Sequence, residues 1–582
     1  MPEYLAPGVY VEEVSFRAKS IEGVGTSTTA FVGPTRRGPV GAAQGAPELV
    51  TSLTDFERLY GGLTDLALSG VTDPALRLNF LAHAVRAYFD NGGSRLYVVR
   101  TANGAAAASA QLRIGLDPNP PNNPLASEDV WVRARFPGAA GNGSFQIHEV
   151  AQPATAVTLG TAPDGSLAMV GVTLHLKAAG AWADAAANAL AVTPATVGSL
   201  LTLSVEASDA DGQVQSWEGL GYGPAHPRYI GTVLGLNPAA RAEALANLVW
   251  LDVGTTVNSF DLRGTVVVGA ATSRTLALAG GSDGSAPILG AEGAAGSYAD
   301  ALLQLVGLED VSIVAAPGSS AYAAAQAVQG ALIAHAERRR AYRIAVLDCP
   351  ARQTPVQMRE ARGHIDSRYA ALYYPWVVVA NPLARPGRDD IPGEITLPPS
   401  GFVCGIYARN DTQRGVHKAP ANEVVTGALR FEVDVNFAQQ ELLNPVGVNC
   451  LRYLSGRGLR LWGARLASSD PEWKYVSDRR YFNYLESSID RGTQWAVFEP
   501  NGQRLWANVR QTIADFLYNE WRGGALLGST VEEAFFVRCD RSTMTQNDLD
   551  NGRLICLIGV AILKPAEFVI FRIGQKTADA RA

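Results

Sequence analysis

Gly280-Gly281-Ser282-Asp283-Gly284 fits the G-x-S-x-G pattern in which a serine on a sharp turn is the nucleophile of an acyl-transfer enzyme. That chemistry needs a strand leading into the serine, a helix directly after it, and a histidine and a carboxylate to carry its proton. TLALA precedes Ser282, but SAPILGAEGAAG follows it, a poor helix start. Gly280, Gly281, Asp283 and Gly284 therefore read as a tight structural turn. His364 and His417, with Asp348 or Asp366, are the groups that would complete a triad, yet no local spacing ties them to Ser282. Cys349 ends the strand-like LDCP, a place for a nucleophile, but no base or helix N-terminus stands beside it in sequence, so it reads as a buried thiol. No residue is assigned a catalytic role, and a serine hydrolase using Ser282 is kept as the alternative.

No cofactor or metal is expected. Cys349, Cys404, Cys450, Cys539 and Cys556 are scattered, odd in number, and form neither a C-x-x-C pair nor a Cys/His cluster. They read as reduced, buried, small apolar residues. GQKT at 574–577 lacks the glycine directly before lysine that a phosphate-binding loop requires, and no dinucleotide fingerprint, H-E-x-x-H or EF-hand loop is present.

The elements that would position such groups fall into blocks. A chain of 582 residues exceeds one ordinary core, so several domains are expected. Between residues 101 and 300 there are 16 Asp plus Glu against 8 Lys plus Arg, whereas the rest of the chain is nearly balanced. An acidic, exposed insertion over 106–275 is the simple reading. SLLTLSVEA (199–207) and RGTVVVGAA (263–271) read as strands of a mostly β domain. The overall charge of −6 is small for this length and argues for neither nucleic acid nor an anionic membrane as partner. The start MPEYLAPGVYVEEV lacks the basic and apolar runs of a secretory signal, which points to synthesis in the cytoplasm, and no apolar stretch is long enough to suggest a spanning helix.

The segments flanking the insertion alternate helix and strand. Leu76, Phe80, Ala84 and Tyr88 recur at four-residue spacing after Asp73-Pro74, and the run stops at Asn91-Gly92-Gly93 before RLYVVR. VSIVAAPG (311–318), a helix reaching Arg340, YRIAVLDCP (342–350) and YYPWVVVAN (373–381) continue the pattern and imply a sheet covered on both faces. Beyond residue 446 come two helices. Asp478 is placed to cap one bearing Phe482, Leu485 and Ile489, and Asn501 to open another bearing Trp506, Val509, Ile513 and Phe516. EEAFFVRC (532–539), RLICLIGVAI (553–562) and EFVIFRI (567–573) then read as strands. The fold class is thus multidomain α/β and α+β. It comprises an N-terminal arm (1–20), a mixed α/β middle domain in two parts (21–105 and 276–445), the β-rich insertion, and an α+β C-terminal domain (446–582).

Two segments call for partners. PGVYVEEV (7–14), with Val9, Tyr10, Val11 and Val14, is a lone β-prone run that is either an edge strand of its own domain or a strand given to a neighbour. Phe568, Val569, Ile570 and Phe571 are apolar on both faces and must be covered on both sides.

YLAPGVYVEEV, LAGGSDG (278–284), PPSGFVCGIYARNDTQRGVHKAPANE (398–423) and the block from EWRGGALLG to VIFRIGQ resemble the contractile tail sheath proteins of bacteriophages, R-type bacteriocins and extracellular contractile injection systems. The resemblance covers residues 1 to about 100 and 300 to 582, in order. It implies a homo-oligomer of stacked hexameric rings around an inner tube protein, with baseplate and tail-terminator proteins as further partners. Such a particle is assembled in the bacterial cytoplasm and is then a phage tail or a released tail-like particle. The resemblance also implies that residues 7–14 and about 566–574 add strands to neighbouring subunits while the sheath contracts. In that frame LAGGSDG is a turn and Ser282 has no chemical role.

Overall fold

A computed structural model describes residues 20–41, 47–113 and 129–571. Two compact units are present. Of the described residues, the larger holds those within Ser27–Thr412 and Pro420–Lys474; the smaller takes 20–26, Gln413–Ala419 and 475–571.

The larger unit is built on a nine-stranded sheet. In spatial order its strands are Glu48–Val50, Leu96–Thr101, Thr29–Pro34, Ile313–Ala315, Ile344–Asp348, Ala370–Tyr374, Val448–Leu454, Gly458–Leu461 and Glu423–Val424. The six from Leu96–Thr101 to Val448–Leu454 are mutually parallel. Every residue of Thr29–Pro34, Ile344–Asp348 and Ala370–Tyr374 is buried, which is why these strands read as unbroken apolar runs rather than alternations. Ala370–Tyr374 and Val377–Ala380 are separate strands, the second lying in a small antiparallel sheet with Glu394–Leu397 and Ala428–Phe431.

The helix Ser400–Arg414 packs against Phe80–Asp90 by close backbone approach. A Cβ on Gly401 would stand 2.7 Å from Ala84 Cα, and one on Gly405 2.5 Å from Tyr88 O. The glycines of SGFVCGIYARN therefore allow two helices to touch along their backbones. Phe80–Asp90 begins at Asn79, whose side chain accepts the Ala82 N–H at 3.3 Å; Asp73-Pro74 opens only the one-turn helix Pro74–Leu76.

Residues 109–113 and 129–277 contribute antiparallel sheets. Ala189–Leu190, Ala181–Ala183, Thr173–Ala178, Leu167–Val170, Val197–Ser208, Ser144–Thr155 and Ser273–Ala277 follow one another across the larger sheet, with Val214–Leu220 also pairing Val197–Ser208. A three-stranded sheet, Val249–Val253, Val130–Ala134 and Ser109–Arg113, faces the same core. Leu201, Leu203, Val205 and Ala207 alternate into that core with the period of two that a half-buried strand imposes. RGTVVVGAA is not a strand. Its first half closes the helix Ser259–Val266, because Asn258 accepts the N–H groups of Phe260 and Asp261, both at 2.9 Å, and so nucleates a helical turn.

The smaller unit packs helix Val476–Gly492 against Gln503–Arg522 around Tyr481, Leu485, Trp506, Val509, Ile513 and Phe516. Asp478 is inside the first helix, buried, and not its cap; the helix starts after Tyr475. Asn501 stands one residue before the Gly502 cap of the second and accepts the Trp506 indole N–H at 2.7 Å. Phe535–Arg538 and Leu557–Val560 form a two-stranded antiparallel sheet.

Candidate assembly surface and the Asp283 turn

Ser282 does not sit on a nucleophile elbow. It lies between the strand Ser273–Ala277 and the helix Tyr298–Gln304, and it exchanges backbone hydrogen bonds with Ala106, both at 2.9 Å. Its hydroxyl accepts the Gly284 N–H at 3.1 Å, a turn contact. Gly284 has φ +79°, and a Cβ there would meet Asn103 O at 2.1 Å, so glycine is required by both conformation and space.

Asp283 is the residue of this turn with the most partners. Its Oδ1 accepts the Ala139 N–H at 2.6 Å, and its Oδ2 accepts the Ala67 N–H at 2.7 Å and an Arg36 N–H at 3.2 Å. Arg36 turns its other edge to Asp211, with contacts at 2.7 and 3.1 Å, and Arg37 meets Asp209 at 3.0 Å. These side chains are all less than a tenth exposed. The hub joins the loop after the first strand, the turn near Ala67, the chain before Ser144 and the hairpin between Val197–Ser208 and Val214–Leu220. What it provides is cross-linking of segments far apart in sequence.

The other groups that could complete a triad are engaged separately. Asp348, buried at its strand end, accepts the Ser400 N–H at 2.7 Å and the Ser400 hydroxyl at 2.8 Å, and so satisfies the start of helix Ser400–Arg414. Asp366 is exposed and holds the Ser469 N–H and hydroxyl at 2.8 and 2.7 Å. His364 is exposed, whereas His417 belongs to the smaller unit, edge-on to Tyr481. Cys349 is fully buried, and burial pushes its thiol well above the ordinary range.

Burial also pushes the Asp348 carboxyl up to about 7, against the opposing hydrogen bonds from Ser400 and Gly318. An unfolded aspartate titrates near ~3.9, so between about pH 4 and 7 the folded chain holds a proton that the unfolded chain has released. Stability contributed by this group is therefore lost as pH rises through that window and is level above it. Asp348→Asn should flatten the pH dependence of denaturant-measured stability by on the order of 2 kcal/mol between pH 5 and 8. Parallel wild-type and variant curves would show that Asp348 is ionised throughout.

Phe568, Val569, Ile570 and Phe571 are 69, 68, 78 and 83% exposed and belong to no strand among the described residues. The expectation of a strand within this chain is thus not met. The segment approaches its own unit at Glu567, whose carboxylate accepts the Tyr475 hydroxyl at 2.9 Å. The sheet of Phe535–Arg538 and Leu557–Val560 nearby in sequence has two strands among the described residues, with Phe536 and Leu557 about half exposed. A two-stranded sheet of this size offers backbone donors and acceptors at its edges. Val9, Tyr10, Val11 and Val14 lie outside the described residues.

Residues 292–465 match the phage tail sheath protein central domain, and residues 468–576 match the phage tail sheath C-terminal domain. The putative prophage major tail sheath protein of Pseudomonas aeruginosa (strain UCBPP-PA14) is 27% identical over 267 residues, 45% of this chain and 64% of that protein. The tail sheath protein of Enterobacteria phage T4 is 24% identical over 27% of this chain and 24% of its own length. The chain thus spans less than two thirds of these curated relatives. In fold it is similar to the PVC sheath complex of an extracellular contractile injection system in the contracted state, with a TM-score of 0.53 at 21% identity over 99% of both chains. The contracted helical sheath of the anti-feeding prophage gives 0.53 at 22% identity over 99% of this chain and 100% of that one.

Proposed function

Because the chain belongs to the contractile tail sheath family, we propose that it is the structural subunit that polymerises as stacked hexameric rings around an inner tube and contracts to drive the tube through a target envelope. The exposed apolar run Phe568–Phe571 carries this reading. Four consecutive apolar residues on both faces of an extended segment are an aggregation hazard in a monomer and an asset in a polymer, where a neighbour's sheet covers them. Backbone hydrogen bonds made in this way hold neighbours together whatever side chains meet. The larger interfaces are then free to repack to a lower free energy during contraction.

In this proposal Val9, Tyr10, Val11 and Val14 form the second exchanged strand. The insertion at 106–275 faces outward, its acidic excess toward solvent. Residues 451–582, with 18 bases against 15 acids, face an acidic inner tube. Baseplate and terminator proteins cap the stack. The subunit is made in the bacterial cytoplasm and leaves it as part of a phage tail or tail-like particle. Its work is mechanical, with no chemical step at Ser282.

Negative-stain microscopy of the purified chain tests the proposal: tubes or stacked rings are expected, and a monodisperse monomer at all concentrations refutes it. Deleting residues 1–15 should leave the circular dichroism spectrum intact and eliminate long tubes. Unfolding of the truncated chain, or normal tubes from it, counts against strand donation by the arm.

A further inference from the structure

Two of the five cysteines are neighbours. Arg538 stands opposite Leu557 in the antiparallel pair, and the same register carried one residue further sets Cys539 opposite Cys556. Ala561 donates its N–H to Ala534 O at 2.8 Å, and counting along the ladder from that hydrogen-bonded pair makes Cys539/Cys556 a non-hydrogen-bonded pair. Cα atoms at such positions are about 4.5 Å apart, within the range a disulfide spans. Each thiol shifts the titration of the other, Cys556 lowering that of Cys539 and Cys539 raising that of Cys556. We infer that Cys539 and Cys556 are a reversible disulfide site that staples the small sheet of the C-terminal unit.

Access is built in. Cys556 is half-buried rather than buried, and Cys539 lines a surface cleft of about 350 Å³ with Trp506, Arg510 and Arg541. Two guanidinium groups against the single carboxylate of Asp540 leave the lining net positive, which suits an anionic oxidant such as oxidised glutathione. The Cys539 thiolate attacks one sulfur of that disulfide, forming a mixed disulfide and releasing one small thiol. The Cys556 thiolate then attacks Cys539 Sγ and releases the second. Two protons pass from the protein thiols to the two released thiols, and two electrons go to the oxidant. Cys349, Cys404 and Cys450 are fully buried and stay outside this chemistry.

Burial pushes both thiols up, Cys556 to about 12, so thiolate is scarce at neutral pH and the exchange is slow. The site stays reduced in the cytoplasm and closes in an oxidising surrounding. Its purpose rests on the sheath reading: the stapled strands are those proposed to carry added strands from neighbours, and the link keeps them from parting under load.

The full-length chain is incubated with oxidised glutathione, alkylated, digested without reduction and analysed by mass spectrometry. The expected product is a Cys539–Cys556 linked peptide pair, with Cys349, Cys404 and Cys450 alkylated only after denaturation. Cys556→Ser abolishes the link and Cys349→Ser preserves it. The oxidised wild type should unfold about 5 °C above the oxidised Cys556→Ser variant. Unreacted thiols, two stable glutathione adducts, disulfide-linked dimers, or a link without a rise in midpoint each overturn the staple. Microscopy reads the sheath proposal separately: a link without tubes refutes the sheath, and tubes without a link refute the dithiol site.

Discussion

Ile570→Pro is expected to abolish assembly while leaving the chain folded. Ile570 is 78% exposed and pairs with no strand among the described residues, so the monomer has little there to lose, and its stability should stay within about 0.5 kcal/mol of wild type. In a neighbour's sheet the same proline removes a ladder donor and locks φ, which a strand paired on both edges does not tolerate. Sedimentation and microscopy should show monomers where the wild type forms tubes, with matching circular dichroism and unfolding midpoints. Normal tubes would remove the C-terminal strand from the lattice. A destabilised monomer would mean the segment belongs to its own core.

Asp283→Ala should be strongly destabilising, costing about 3–5 kcal/mol. It strips Ala67 N–H and Ala139 N–H of their acceptor and takes from buried Arg36 one of its two carboxylates. Ser282→Ala, which loses only an acceptor for the Gly284 N–H, should cost about 1 kcal/mol or less and still assemble. Denaturant unfolding of the two variants separates a structural hub from an active-site serine. Comparable stability for both, or a Ser282→Ala protein that assembles but fails to contract, would contradict the mechanical reading.

Some of this was legible in the residues. A continuous apolar run announced Ile344–Asp348 as a strand covered on both faces, and 3–4 spacing marked Gln503–Arg522, whereas Thr29–Pro34 was not singled out and YYPWVVVAN, read as one strand, holds the end of Ala370–Tyr374 and all of Val377–Ala380. Caps were harder. Asp478 has the residue type of a cap, yet it is buried inside its helix, where burial pushes its carboxyl up to about 6. TVVV has high β propensity, but Thr265 and Val266 are helical because Asn258 starts a turn upstream that carries them along. The Asp283 hub was half visible: the turn was read as structural, but its partners Arg36, Ala67 and Ala139 are remote in sequence and leave no local signal. The acidic bias of residues 101–300 was read as solvent-facing, whereas Asp209, Asp211 and Asp283 turn to Arg36 and Arg37 from outside that block.

Ala106 pairs with Ser282, and Ser109 with Ala279, so the chain enters and leaves the β-rich insertion along adjacent antiparallel strands. The gap to be bridged is one strand spacing, about 5 Å, whatever is inserted. The position is therefore a socket. A foreign domain whose termini lie side by side can be grafted between these two strands at little cost in loop closure. Its design has one electrostatic condition. Arg36 keeps Asp283, but Arg37 loses Asp209 and Arg36 loses Asp211 when the native insertion goes. A graft must therefore either present two carboxylates to this corner or leave both guanidinium groups open to water.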